Sequence, residues 1–509
     1  MDKINFELQF RELKEHENLY DLAEISSRSI IPAEYIRRSG YEDNPDVCAI
    51  PKCPEAQDLW KMNTIPLPGY DSERARNMSK GEALEQIYDI RHVTCPLGLH
   101  LELSTVINRM LLESYKGRET RLSQMEADDG TPFSKGKQIL SMRKKEGARP
   151  DGWLMTGATG CGKSVALSLC SAIYPEAILH TFEDYQYVQI PIIRVTALMG
   201  SLSDIYRSFG TRIDEILDCG SYHESLVRSA SLTKAAGYVK SWIKRYHIGM
   251  MIIDEVQFIH FGSGKTSFEN IVGITEETGM SFGLIGNPEV LSGISTLPRI
   301  QSRVVNGCIN ANAASKEDRR FFMIAARYLW KYQWCRRSFP MTDEVMKALL
   351  FESAYNIAIL KALIAAVQVE LVNKPDSEYS EDLVHETAGE EFRVLRELVL
   401  DGSVENDRIF AEKLDQRYKD IKDSAGNEIG AVKANILDQI EKNERDQVIQ
   451  QKKEEARRAL MTLYDGIYSE SEISRAITNA MYKDTWLSES SSGDIARSAK
   501  AFLDKNRKK

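Results

Sequence analysis

The run Gly157-Ala158-Thr159-Gly160-Cys161-Gly162-Lys163-Ser164 constrains this chain more than any other stretch, because it matches G-x-x-x-x-G-K-[ST]. Trp153-Leu154-Met155-Thr156 before it is an apolar run suited to a buried strand, and Val165-Ala166-Leu167-Ser168-Leu169 after it continues with helical spacing. Strand, glycine loop and helix in that order make a phosphate cradle. The glycines let the backbone turn so that successive N–H groups face phosphate oxygens, and the helix N-terminus adds positive potential. Lys163 is expected to reach the β- and γ-phosphates, and Ser164 to offer its hydroxyl to Mg²⁺. Nucleotide binding by Gly157 to Val165 is the first expectation.

A second signature lies downstream. Ile248-Gly249-Met250-Met251-Ile252-Ile253-Asp254-Glu255 is an apolar strand ending in two carboxylates. Asp254 can hold Mg²⁺, directly or through water, and Glu255 can orient and polarise an attacking water. Ser281 to Gly286 reads as another strand, with Asn287 at its end placed for the γ-phosphate or the lytic water. Val188 to Val195 reads as a strand that Pro191 puts at an edge or bends, and Val304 to Ile309 as a fifth. Helical patterns fill Leu101 to Tyr115, Ile205 to Leu217 and Ser225 to Tyr246, and Phe6 to Ile25 has room for a short amphipathic helix. Strands separated by helices predict an α/β fold: a parallel sheet with helices on both faces and ligand at the strands' carboxyl ends.

At 509 residues, with 42% hydrophobic and 28% charged residues, the chain has material for several domains and an ample core. The most apolar long run, Ala348 to Val372, is broken by Glu352, Asn356 and Lys361, which excludes a membrane span. Met1 to Asn5 carries no signal pattern. Eight cysteines are thinly spread, and Cys161 lies inside the phosphate loop, so a reducing, cytoplasmic setting is expected. The spacings of Cys48, Cys53, His92 and Cys95 are too loose to read as a zinc site. A net charge of −9 argues against wholesale basic binding to nucleic acid, so any DNA contact must come from a local patch. The informative window is Ser225 to Tyr246, which holds Arg228, Lys234, Lys240, Lys244 and Arg245 and no acid. Lys240 and Lys244 share a helix face there.

In order, these pieces resemble the AAA+ ATPases, and in detail the TnsC proteins, ATP-dependent regulators of the Tns transposons and their CRISPR-associated relatives. The similar stretches are Gly98-Leu99-His100-Leu101 through Tyr115-Lys116-Gly117-Arg118, Leu154 to Pro175, Ile252 to Gln257, Leu284 to Pro288 and Lys316 to Trp334. At the strand end the family often has Thr where this chain has Asn287. The resemblance implies an AAA+ core over 96–312, a helical lid over 313–375, an appended N-terminal domain over 1–95 and a charged helical C-terminal region over 376–509. It implies ATP and Mg²⁺ as cofactors and ATP hydrolysis that governs a ring or filament on double-stranded DNA. Such an assembly links a target-selection protein of the TnsD or TniQ kind to transposase subunits, in a bacterial cytoplasm and nucleoid-associated when bound to DNA. Arg299 or Arg303, ahead of the fifth strand, is expected to complete a neighbour's site, and Lys361 to sense nucleotide from the lid. The helix carrying Arg228, Lys234, Lys240 and Lys244 is expected to line the pore.

Asp376 to Glu391 reads as an acidic linker, and Glu391 to Lys422 and Val432 to Tyr468 as charged helices. The basic tail, Ser498 to Lys509, is either solvated or a docking segment for transposase. The alternative function is a helicase-loader-like or signalling switch ATPase. Asn373-Lys374-Pro375-Asp376 matches the guanine-reading N-K-x-D, but it ends a helical pattern where a GTPase would have a strand.

Overall fold

Alternation along the central strands sorts the core into two layers. Met250 and Ile252, Trp153 and Met155, and Ile285 pack in one hydrophobic cluster, while Met251, Ile253, Leu154, Phe282 and Leu284 pack in another. Every second residue thus meets a different helical layer, the pattern of a sheet covered on both faces. The computed structural model describes residues 4, 6–122, 140–197, 201–229, 231–259, 261–294, 297–313, 315–375, 379–391, 449–464, 467–483 and 491–506.

Along the chain the strands are β1 (Ile30–Pro32), β2 (Arg118–Leu122), β3 (Leu140–Lys144), β4 (Gly152–Thr156), β5 (Ala177–Thr181), β6 (Gln186–Gln189), β7 (Ile192–Thr196), β8 (Met250–Asp254), β9 (Ser281–Gly286) and β10 (Cys308–Asn310). The helices needed below are α1 (Leu22–Ser27), α2 (Pro45–Cys48), α3 (Gly98–Lys116), α4 (Lys163–Ser171), α5 (Leu202–Leu217), α6 (Ser221–Val227), α7 (Leu232–Arg245), α8 (Phe261–Thr278), α9 (Pro298–Val304), α10 (Lys316–Trp330), α11 (Asp343–Ser353), α12 (Ile357–Asn373) and α13 (Glu381–Glu391). The central sheet runs β10-β4-β9-β8-β7, all parallel. β9 therefore separates the phosphate-loop strand from the strand that ends in Asp254. Helices α3 and α4 cover one face, and α5, α7, α8 and α9 the other.

Several expectations are corrected. Val188 to Val195 is two strands. Pro191 has no N–H to donate, and the chain there leaves β6, antiparallel to β5, to enter β7 at the edge of the central sheet. The fifth strand begins at Cys308, because Pro298 starts α9, which runs to Val304. Ser225 to Tyr246 is broken into α6 and α7, the second capped by Ser231. The short amphipathic helix expected within Phe6 to Ile25 is only the start of α1, six residues begun by the Asp21 cap and with none of them buried. The acidic stretch before residue 391 is helical over α13, whose Val384 and Ala388 are buried. Asp376 and the segment 392–448 lie outside the described residues.

The N-terminal stretch is stitched to the core by β1 beside β5 and by α2 against α3. At the base of the sheet lies a buried polar network. The Asp46 carboxylate meets His247 Nδ1 at 2.8 Å and accepts from the Thr120 hydroxyl at 2.9 Å, and Gln189 donates to the Asp46 carbonyl at 2.9 Å. Burial opposes the Asp46 charge, yet His247 holds its pKa below the usual value. Arg118 is fully buried and donates to the carbonyls of Ser114 and Ile248 and to the Ser114 hydroxyl, at 2.7–2.9 Å. Tyr115, under the Arg118 guanidinium, donates to the His247 carbonyl at 2.9 Å. The Tyr-x-Gly-Arg element thus ties α3 to the start of β8.

The described residues between 449 and 506 form a compact unit of their own. Its helices 449–463, Glu470–Lys483 and Ser492–Asn506 share a small core of Leu460, Ile473, Ile477, Ile495 and Leu503. The described part of the tail is therefore helical. No helix among the described residues is long and apolar enough to cross a membrane.

Candidate active site

β4 delivers the chain into the loop at the carboxyl edge of the sheet, and α4 begins at Lys163. Gly160 (φ +84°) and Gly162 (φ +101°) occupy the left-handed region that admits glycine without strain. No side chain caps α4, so its first-turn N–H groups remain as donors for an anion. The Ala158 N–H donates to Asn312 Oδ1 at 3.1 Å, fixing the loop against the segment after β10. Lys163 Nζ lies across the loop, 2.7 Å from the Gly157 carbonyl, 3.0 Å from that of Ala158 and 3.4 Å from Asn287 Oδ1. Thr159, Ser164 and Val165 are exposed, whereas Cys161 is buried and its thiol pKa is raised by that burial.

Asp254 follows Met250 and Ile252 in the alternation, which puts it on the face that α4 covers. One of its oxygens accepts the Glu255 N–H at 2.8 Å. Burial raises the Asp254 pKa; the Glu255 N–H and Lys163 oppose the rise, and the Glu255 carboxylate adds to it. Glu255 itself turns in the left-handed region (φ 59°, ψ 37°), so its side chain leaves the strand line. Gln257 donates to the Glu255 carboxylate, and its own carbonyl oxygen accepts the Asn287 N–H at 3.2 Å. Gln257 thereby ties Glu255 to Asn287, and Asn287 reaches Lys163. A hydroxyl at Ser164 and a carboxylate at Asp254 are hard oxygen donors. Two such donors suit Mg²⁺, which keeps waters and phosphate oxygens for its other positions. The loop and these two residues fit a nucleotide with Mg²⁺.

The helices after β10 meet the loop through the start of α12. Asn356 donates from Nδ2 to the Thr159 carbonyl at 2.9 Å, and the Ala358 N–H donates to the Gly160 carbonyl at 3.2 Å. Lys361, one turn on, points elsewhere: its ammonium donates to the Arg91 carbonyl at 3.2 Å, and burial lowers its pKa. Asn356 and Asn312 carry no motif; the N-cap preference at the start of an apolar helix was the available signal for Asn356. Gln257 could be read only as part of the strand-end pattern.

The two arginines on α9 differ. Arg303 is nearly buried and donates to the Pro150 carbonyl at 3.0 Å and to Glu276 at 2.8 Å. Arg299 is 66% exposed and reaches Glu276 only at 3.4 Å. On α7, Lys240 and Lys244 both face Glu277, at 2.5 Å and 3.7 Å. Lys234 sits by the Tyr238 ring, and Arg228 pairs with Glu224 on the surface. Cys48 and Cys95 donate to backbone carbonyls, and no group of three His, Cys, Asp or Glu among the described residues is placed to hold a metal ion.

Residues 152–292 match the family model described as AAA domain. This segment is an AAA-type P-loop ATPase domain. The match covers β4 to the residues after β9, and the five-stranded parallel sheet and its two helical layers agree with it. Among solved structures, the AAA-domain chain resembles the Aeropyrum pernix ORC2 protein in ADPNP–ADP complexes at 13% identity and a TM-score of 0.31, over 57% of this chain and 88% of that one. It resembles C. elegans PCH-2 at 15% identity and 0.24, over 47% and 61%. A DNA replication initiation factor matches at 10% identity and 0.23, over 55% and 88%. No curated protein sequence matches the chain.

Proposed function

We propose that this chain is a TnsC-type ATPase: it binds and hydrolyses ATP with Mg²⁺, assembles as a ring or filament on duplex DNA, and couples a target-selection protein to transposase subunits. The observation that carries the catalytic part is the chain of contacts Lys163–Asn287–Gln257–Glu255 at the mouth of the loop, beside Asp254. It joins the phosphate-binding lysine to the carboxylate that would take the proton of the attacking water. The transposition part is supported by the sequence resemblance from about residue 90 to about residue 375. Arg299 is the arginine we assign to the neighbouring subunit's site, because Arg303 is already held inside its own subunit. DNA contact is assigned to Lys234 ahead of Arg228, Lys240 and Lys244, whose charges Glu224 and Glu277 offset.

That offset is also what favours the second reading, a helicase-loader-like or signalling switch ATPase that uses nucleotide without gripping DNA through α7. Electron microscopy of the Glu255→Gln protein with ATP and duplex DNA separates the two. Persistent rings or filaments on DNA are expected. Monomeric protein that binds ATP but leaves the DNA bare would reject the transposition reading.

A further inference from the structure

A cleft of about 660 Å³ opens on the α4 side of the sheet, walled by α4, β7, α5 and the segment Ile25–Ser29, with Asp254 at one wall. Arg194 pairs across β7 with Ile252, and Thr196 with Asp254, so these side chains share the Asp254 face. Three arginines line the cleft, and they differ in what holds them. Arg212 is paired with Glu176 and, at 2.7 Å, with Glu215. Arg28 is paired with Glu24 at 3.0 Å. The Arg194 guanidinium, by contrast, has no hydrogen-bond or ion-pair partner among the described residues; the carboxylates of Glu176 and Asp254 line the same cleft. Burial, then the like charge of Arg212, lowers its pKa, and the carboxylates of Asp254 and Glu176 oppose the fall. A guanidinium offers five N–H donors in a flat fork that matches the oxygens of a phosphate two at a time.

The position of the cleft gives that fork a use. On the lid side the phosphate loop is covered by Asn356 and Ala358, and on the β9 side Asn287 and Gln257 stand against Lys163 and Glu255. The cleft lies on the remaining flank, at β7, and shares Asp254 with the nucleotide site.

We propose that this cleft is a second anion site, in which Arg194 binds inorganic phosphate on its way out of the nucleotide site. The source of the phosphate rests on the ATPase reading above; the binding of the anion does not. Product release sets the turnover of many enzymes, so a dedicated exit site bears on how long the post-hydrolysis state lasts.

The test uses the full chain. Lys163→Ala weakens the phosphate loop, so calorimetric titration of that variant with inorganic phosphate reports the cleft. One site is expected, and Lys163→Ala/Arg194→Ala should bind about tenfold more weakly or worse. Lys163→Ala/Arg194→Lys should fall between, since the charge stays and the fork is lost. Unchanged thermal unfolding midpoints check that the variants are folded. No phosphate binding by Lys163→Ala, or equal binding with and without Arg194, overturns the site. In the otherwise native chain, a fluorescent phosphate reporter should show Arg194→Ala delaying release behind the burst of cleaved ATP; release at the native rate rejects the exit role. A native chain that hydrolyses no ATP sinks the ATPase reading, while the titration still decides the anion site.

Discussion

The two ends of the central sheet are both rich in polar groups and treat them oppositely. At the carboxyl end, Ser164 is exposed and Lys163, Asp254 and Glu255 are part-exposed, and Lys163 is held by two carbonyls, Asn287 and the Cys161 sulfur. At the other end, Asp46, His180, His247, Gln189 and Arg118 are fully buried, and neighbouring groups take up most of their hydrogen-bonding capacity. A buried charge persists only where partners repay its desolvation, so the lower cluster reads as a fastening. Charges left within reach of solvent at a strand end are the ones free to meet a ligand. Charge content alone would have ranked the two ends equally.

The largest effect at the carboxyl end is expected from Lys163→Ala. We expect ATP hydrolysis at background, nucleotide affinity down by roughly a hundredfold for one lost charge-assisted phosphate contact, and an unchanged unfolding midpoint. A large drop in that midpoint would mean the upper end is also structural. Arg118→Ala is the mirror case. Removing a buried, three-bonded guanidinium should cost roughly 3–5 kcal/mol of stability, seen in denaturant melts, while the folded fraction keeps its nucleotide affinity. On α9, Arg303→Ala should cost about 1–3 kcal/mol by leaving the Pro150 carbonyl unpaired and Glu276 with only the longer contact to Arg299. Arg299→Ala should leave stability alone and slow hydrolysis only in the assembled protein; mixing it with a Lys163→Ala chain and finding no change in either direction would refute a role between subunits.

The smallest effect is on pH. Burial pushes His180, and likewise His100, down to about 4 from an ordinary 6.5. The unfolded chain then takes up protons that the folded chain refuses, so their contribution to stability is intact above pH 6.5 and is lost as pH falls toward 4. The unfolding midpoint should decline over that window, and His180→Gln should soften the decline. Asp254 has the opposite sense. Its raised pKa means that Mg²⁺-dependent activity should fail on acidification at a higher pH than an ordinary aspartate would give.

What the residues announced in advance was the part that chemistry restricts most. The loop, the Asp254-Glu255 strand end and Asn287 sit together because phosphate and Mg²⁺ admit few arrangements. In the central sheet the apolar runs placed β4, β8 and β9, and a proline changed the rest: Pro191 divided one strand between two sheets, and Pro298 started a helix where a strand was expected to be near; β1, β2, β3 and β5, outside that sheet, went unread. Contacts between distant segments were beyond reach. Nothing near Asn356 signals that it rests on Thr159, and the burial of Arg303 beside an exposed Arg299 is decided by Glu276 on another helix. Equally, the acid-free window on α7 hid Glu277, which lies outside it in sequence and beside it in space.

The start of α12 leaning on the phosphate loop makes that helix a lever with its short arm at the nucleotide. Seventeen residues span about 25 Å, so a tilt of about 10° at Asn356 carries the far end by roughly 4 Å. Displacements of a few tenths of an ångström among the loop's carbonyls would be read out, magnified, at the distant end of α12, ahead of α13.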